Sequence, residues 1–137
     1  MQFIVAIDFD GTLVDHVYPD IGAAIPGAVE WCVKLQTAGA KLILWTMRSG
    51  KELDDAVKWC EANGIQLWGV NKNPQQSWSS SPKAFANLYV DDAAVGCPLR
   101  ELPRLGARPG ADWEVIGPLL MQKLQQRKKT YEESSGQ

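Results

Sequence analysis

A chain of 137 residues with a formal charge of -2 has room for one domain, and a hydrophobic share of 45% is enough to build a packed core. Fourteen Lys and Arg against sixteen Asp and Glu leave no basic surplus of the kind that holds nucleic acid, and no apolar run reaches the length of a membrane span. The start, through Phe9, lacks the basic region of a signal peptide, and Cys32, Cys60 and Cys97 form no CxxC or Cys/His cluster, so zinc and a disulfide framework are disfavoured and a reducing cytoplasm is expected.

The run Phe3-Ile4-Val5-Ala6-Ile7 is nearly unbroken in its apolarity, which suits a strand buried on both faces. It ends abruptly in Asp8-Phe9-Asp10-Gly11-Thr12, and a polar loop through His16, Tyr18, Pro19 and Asp20 follows. Pro26 suits the first position of a helix whose buried face is Val29, Cys32, Val33 and Leu35, ended by Gly39. Residues 40–47 (AKLILWTM) read as a second buried strand and 51–63 as a second helix, stopped by Gly64. Residues 65–70 give a third strand, 71–82 a polar loop rich in Asn, Gln, Ser and Pro, and Leu88-Tyr89-Val90 a fourth strand running into Asp91-Asp92.

Residues 97–110, with Pro98, Pro103, Gly106, Pro109 and Gly110, read as turns. Asp112 is placed to cap a last helix containing Leu119, Leu120 and Leu124, with Pro118 expected to split it into a short turn and a main helix. The basic cluster Arg127-Lys128-Lys129 reads as a solvated helix end. A single domain over 1–131 is expected, with a disordered tail at 132–137.

Alternating strands and helices imply a parallel sheet with right-handed crossovers, and in such sheets functional groups collect at the carboxyl ends of the strands. Asp8 and Asp10 end the first strand, Thr46 the second, and Asp91 and Asp92 the fourth. Crowded carboxylates repel, and a hard divalent cation relieves that repulsion; oxygen ligands select magnesium or calcium. Magnesium takes one or two carboxylates together with waters and phosphate oxygens. Around such an ion Asp8 can reach phosphorus and Asp10 a leaving-group oxygen, while Gly11 permits a sharp turn that brings the Phe9 and Asp10 amides close to phosphate. The hydroxyl and amide of Thr46 can hold a phosphate oxygen, with Met47 and Arg48 beside them on the same rim; Arg48 suits a second phosphate or a carboxylate. Lys83 can neutralise phosphate charge, with Lys72 as its rival, and His16 stands near the entrance to the site. Trp78, in a polar loop, suits stacking on a flat substrate or on another subunit.

These four segments resemble the haloacid dehalogenase-like superfamily. Asp8-Phe9-Asp10-Gly11-Thr12 is similar to its DxDGT signature, Thr46 after Leu42-Ile43-Leu44-Trp45 to its second motif, Lys83 to its third, and Asp91-Asp92 to its fourth. The resemblance covers about residues 3–95 and implies a Rossmann-like three-layer α/β/α sandwich with a mainly parallel sheet. It implies that Asp8 is the nucleophile, forming an aspartyl-phosphate, and that Asp10 is general acid and base. Asp8, the Asp10 carbonyl and Asp91 would hold magnesium, with Asp92 a direct or water-mediated ligand. An aspartate at position 10 points to a phosphatase rather than a dehalogenase. The segments 10–26 and 70–83 hold only loops, so no cap domain is expected, and the chain resembles the capless branch. The expected partner is a phosphorylated substrate, with a homo-oligomer supplying a lid; membrane and nucleic acid are not expected partners. The alternatives are a phosphate- and magnesium-binding regulatory protein without turnover and a phosphatase of nucleic-acid ends. The chain lacks a complete P-loop and a GxSxG elbow, which disfavours a kinase and a Ser-His-Asp hydrolase.

Overall fold

The apolar runs pair as strands. In the computed structural model, which describes residues 1–103 and 108–136, β1 (Ile4–Ile7), β2 (Lys41–Leu44), β3 (Leu67–Val70) and β4 (Leu88–Val90) form one sheet, all parallel, in the order β3-β2-β1-β4. Ile7 lies opposite both Leu44 and Val90, and Leu44 lies opposite Val70. The strands therefore end level with one another, and Asp8, Trp45, Asn71 and Asp91 are each the first residue beyond a strand on the same edge of the sheet.

The chain steps from β1 to β2 to β3 in one direction, then returns across the sheet to place β4 on the other side of β1. The reversal of strand order lies between β1 and β4. That gap is where an open α/β sheet offers a crevice, and both acidic segments border it.

Strand alternation divides the core. Val5, Ile7, Leu42 and Leu44 point to one face and meet α1 (Ala28–Thr37), α2 (Gly50–Ala62) and α3 (Trp113–Ser135) through Ala28, Cys32, Leu35, Ala56, Cys60, Trp113, Ile116 and Leu120. Each such buried aliphatic side chain contributes about 1.5–3 kcal/mol. Burial pushes the thiols of Cys32 and Cys60 upward, Cys60 to about 12, so both are inert core groups as expected.

Ile4, Ala6 and Ile43 point to the other face and are covered by Ala84, Ala86, Trp45 and Trp68. Loop 71–87 builds this third layer, in place of a helix between β3 and β4. Its Asn and Gln side chains replace a regular ladder: Gln76 bonds the Lys83 carbonyl and the Phe85 amide, Asn73 the Phe85 carbonyl, and Asn87 the Ile4 amide. Trp78 packs edge-on against Phe85 within the same loop. Neither segment 10–26 nor segment 71–83 contains a helix or a strand of the sheet, so no cap is present in either.

The C-terminal third departs from expectation in three ways. Residues 97–110 are not turns alone, because β5 (Leu99–Arg100) pairs antiparallel with β6 (Gly110–Ala111). Residues 104–107, which include Gly106 of that stretch, and Gln137 lie outside the described residues. Pro118 is the sixth residue of α3 and does not split it; the helix forgoes only the one bond that an amide at 118 would have made to the carbonyl of Glu114. Asp112 caps that helix as expected, accepting from the Glu114 amide. The helix also continues through Ser135, so the tail expected to be disordered from 132 is helical up to that residue.

Candidate active site

The first acidic segment is held from both sides. The Asp8 amide donates to the Val90 carbonyl at 2.9 Å, carrying the β1–β4 ladder one residue past the strand. Phe9 is fully buried against the Trp59 ring, so only its backbone faces the site. Its carbonyl accepts from the amides of Thr12, Leu13 and Val14, which tightens the turn. Gly11 takes φ +87°, and a Cβ there would run into His16 Nε2 and Asp92 Oδ2, so glycine is needed for both conformation and space.

At the head of this turn, carboxylate oxygens of Asp8, Asp91 and Asp92 lie within 4.8 Å of one another. Burial, then the charge of Asp91, then a hydrogen bond with Asp92 push the Asp8 carboxyl up to about 8. The Thr12 hydroxyl lies 3.2 Å from Asp8 Oδ2 and 3.3 Å from Asp92 Oδ1. Thr12 itself is anchored by its carbonyl, which accepts from Trp113 Nε1 at 2.7 Å. His16 Nε2 lies 3.0 Å from Asp92 Oδ2, and Arg108 Nη1 lies 3.5 Å from His16 Nδ1. With Arg108 as donor to Nδ1, the neutral ring carries its proton on Nε2 and donates to Asp92. His16 thus touches the acidic cluster itself.

Asp10 diverges from Asp8, as a strand-end turn allows. Its two carboxylate oxygens accept from Arg48 Nε and Nη2, each at 2.8 Å. Arg48 is buried, 3% exposed, and its remaining donors bond the carbonyls of Pro19, Asp20 and Glu52. The expectation that Arg48 binds substrate phosphate is overturned, because every N–H of the guanidinium is already engaged. The carboxylate it suits is that of Asp10.

Thr46 also differs in detail. Its amide donates to Asn71 Oδ1 at 2.8 Å and is not free for phosphate, and its hydroxyl oxygen accepts from the Arg48 amide at 3.1 Å, leaving the hydroxyl proton free to donate. The Asp10 and Met47 amides bond no acceptor among the described residues and remain available at the rim. The Met47 side chain is fully exposed.

Lys83 packs on an aromatic ring. Its ammonium lies 5.1 Å over the Tyr89 ring, and among the described residues it forms no ion pair. Lys72 is exposed and directly follows Asn71, the residue that bonds Thr46.

Thr12, Asn71, Arg108 and Trp113 were not singled out from the sequence as site residues. The only signal for Thr12 was its place in the DxDGT segment. The others reach the site through tertiary contacts that no local pattern announces.

No helix among the described residues is long and apolar enough to cross a membrane. No family model matches the chain, and no curated protein does. Among solved structures, the chain is similar to a conserved protein from Bacteroides thetaiotaomicron, with 39% identity and a TM-score of 0.73 over 90% of this chain and 93% of that one. At that identity and coverage, the chain belongs to the same family as this conserved Bacteroides protein.

Proposed function

We propose that this protein is a magnesium-dependent phosphohydrolase of the haloacid dehalogenase-like type, acting on a phosphomonoester through an aspartyl-phosphate on Asp8. The observation that carries the reading is the convergence of Asp8, Asp91 and Asp92 within 4.8 Å at the switch in strand order. A hard cation seated among these carboxylates would offset the crowding that raises the half-buried Asp8 carboxyl so far above its usual range.

The donor set fits magnesium, being made only of oxygen. Asp8, Asp91 and Asp92 would hold the ion, with the Asp10 carbonyl available beside them. Bound there, it would supply positive charge that keeps Asp8 ionised and offsets charge on the phosphoryl oxygens. Asp8 attacks phosphorus, and Asp10 gives a proton to the departing alcohol oxygen. Asp10 then takes a proton from the water that hydrolyses the acyl phosphate. The Thr46 hydroxyl and the Asp10 and Met47 amides are the donors for non-bridging oxygens.

Phosphate release should be measured over sugar phosphates, nucleotides and phosphorylated termini with magnesium present. Chelation or Asp8→Asn should abolish it. Turnover that survives in clean Asp8→Asn protein rejects the mechanism.

The position of Lys83 favours a second reading, a protein that binds phosphate and magnesium without turnover, since no lysine in the described contacts neutralises the cluster. Beryllium fluoride binding without hydrolysis of any ester in the screen would select it.

A further inference from the structure

We infer that Arg48 is a positioning residue, which fixes the carboxylate of Asp10 for proton transfer and ties that aim to the loop overhanging it. The inference rests on the phosphohydrolase reading above.

The geometry is that of a saturated fork. A guanidinium has five N–H donors, and all five are engaged here. Nε and Nη2 meet the two Asp10 oxygens at 2.8 Å each; Nη2 also meets the Asp20 carbonyl at 2.7 Å; Nη1 meets the carbonyls of Pro19 at 3.1 Å and Glu52 at 3.3 Å. The guanidinium carbon lies 4.9 Å from the Phe9 ring and 5.1 Å from the Tyr18 ring. The side chain is 1% exposed. A bidentate pair fixes the plane of a carboxylate as well as its distance, which a single point charge does not. Asp10 therefore cannot turn unless Arg48 turns, and Arg48 cannot turn unless it leaves the loop carbonyls at 19 and 20 and the first turn of α2. No donor is left over for a substrate oxygen.

A purely structural staple would use the same carbonyl contacts. What separates the two roles is whether the effect on turnover passes through Asp10, and a double-mutant cycle measures that. Arg48→Gln, Arg48→Lys, Asp10→Asn and the Asp10→Asn/Arg48→Gln double variant are compared by kcat and KM, with circular dichroism and magnesium titration as controls. Arg48→Gln should lower kcat about 10- to 100-fold with KM changed less than about threefold. Lysine should not rescue it, because lysine offers no fork. The double variant should be no slower than Asp10→Asn alone. A double variant slower by the full factor of Arg48→Gln overturns the inference, as does a rise in KM at constant kcat.

Should Arg48→Gln fail to fold, the wild-type Arg48 Nε–H resonance decides. A positioning clamp shows no through-space transfer to this N–H from the fluorines of bound beryllium fluoride, whereas such transfer shows a phosphate ligand and overturns the inference. A wild-type protein that hydrolyses no ester removes the phosphohydrolase reading and this inference together. An active wild type with a multiplicative cycle removes this inference alone.

Discussion

The Asp92 amide donates to the Thr12 hydroxyl at 3.1 Å, while that hydroxyl lies within reach of both Asp8 and Asp92 carboxylates. Its one proton can serve only one carboxylate at a time, so Thr12 ties the β1 turn to the β4 turn through a single fully buried side chain. Thr12→Val keeps the shape and removes the acceptor, leaving the Asp92 amide unpaired. The variant should lose about 1–3 kcal/mol in a urea titration. Magnesium affinity should fall about 10- to 100-fold, as when a group that orients a metal ligand is lost. Thr12→Ser should restore most of both. Equal stability and equal magnesium affinity in Thr12→Val would show that the hub is idle.

Protonation of Asp8 competes with the proposed ion. Burial and the charge of Asp91 raise this carboxyl to about 8, so below that pH the folded, metal-free protein holds a proton that magnesium must displace. Apparent affinity should rise with pH by up to about tenfold per unit and flatten above about pH 8. Calorimetry in buffers of different ionisation enthalpy should detect the released proton near pH 7 and its disappearance near pH 9. An affinity independent of pH from 6 to 8 would contradict this account.

What could be read from the chain follows its local physics. Asp8 and Asp91 were legible because each follows an apolar strand, and a level parallel sheet brings such ends together. The role of Arg48 was not, since its partner lies 38 residues away and the sequence shows a cation on a rim but not what it faces. The surroundings of Lys83 were not legible for a related reason. Its assignment relied on motif order, whereas loop 71–87 is fixed by side-chain bonds from Asn73 and Gln76 that leave the lysine against Tyr89. The strands β5 and β6, of two residues each, are too short to carry a period-two pattern.

The two lysines can be separated directly. Lys72 follows the residue that fixes Thr46, at the strand ends where the acids lie, whereas Lys83 rests on an aromatic ring. Lys72→Met should lower kcat/KM about tenfold or more if it supplies charge to the phosphoryl group. Lys83→Met should change kcat/KM by less than about threefold, the loss of an exposed cation–π contact being small. The reverse order would mean that loop 71–87 rearranges when substrate binds.

Asp8→Asn should stabilise the metal-free protein while it removes turnover. In wild type, the folded-state carboxyl is raised by burial and by Asp91, whereas the unfolded carboxyl ionises near 3.8. Between about pH 4 and pH 8 the unfolded chain has released a proton that the fold retains. The contribution of Asp8 to stability therefore falls as pH rises through that window, and it levels off above it. Asparagine does not titrate, and its amide can donate to the remaining carboxylates. The melting temperature of Asp8→Asn should stay close to wild type near pH 5 and exceed it near pH 8. Magnesium should reverse the order at pH 8, because the ion stabilises only a fold with the full carboxylate set. A variant less stable than wild type at pH 8 without metal would mean that Asp8 contributes to the fold through contacts other than its charge, and that the crowding of the three acids is not the strained feature described here.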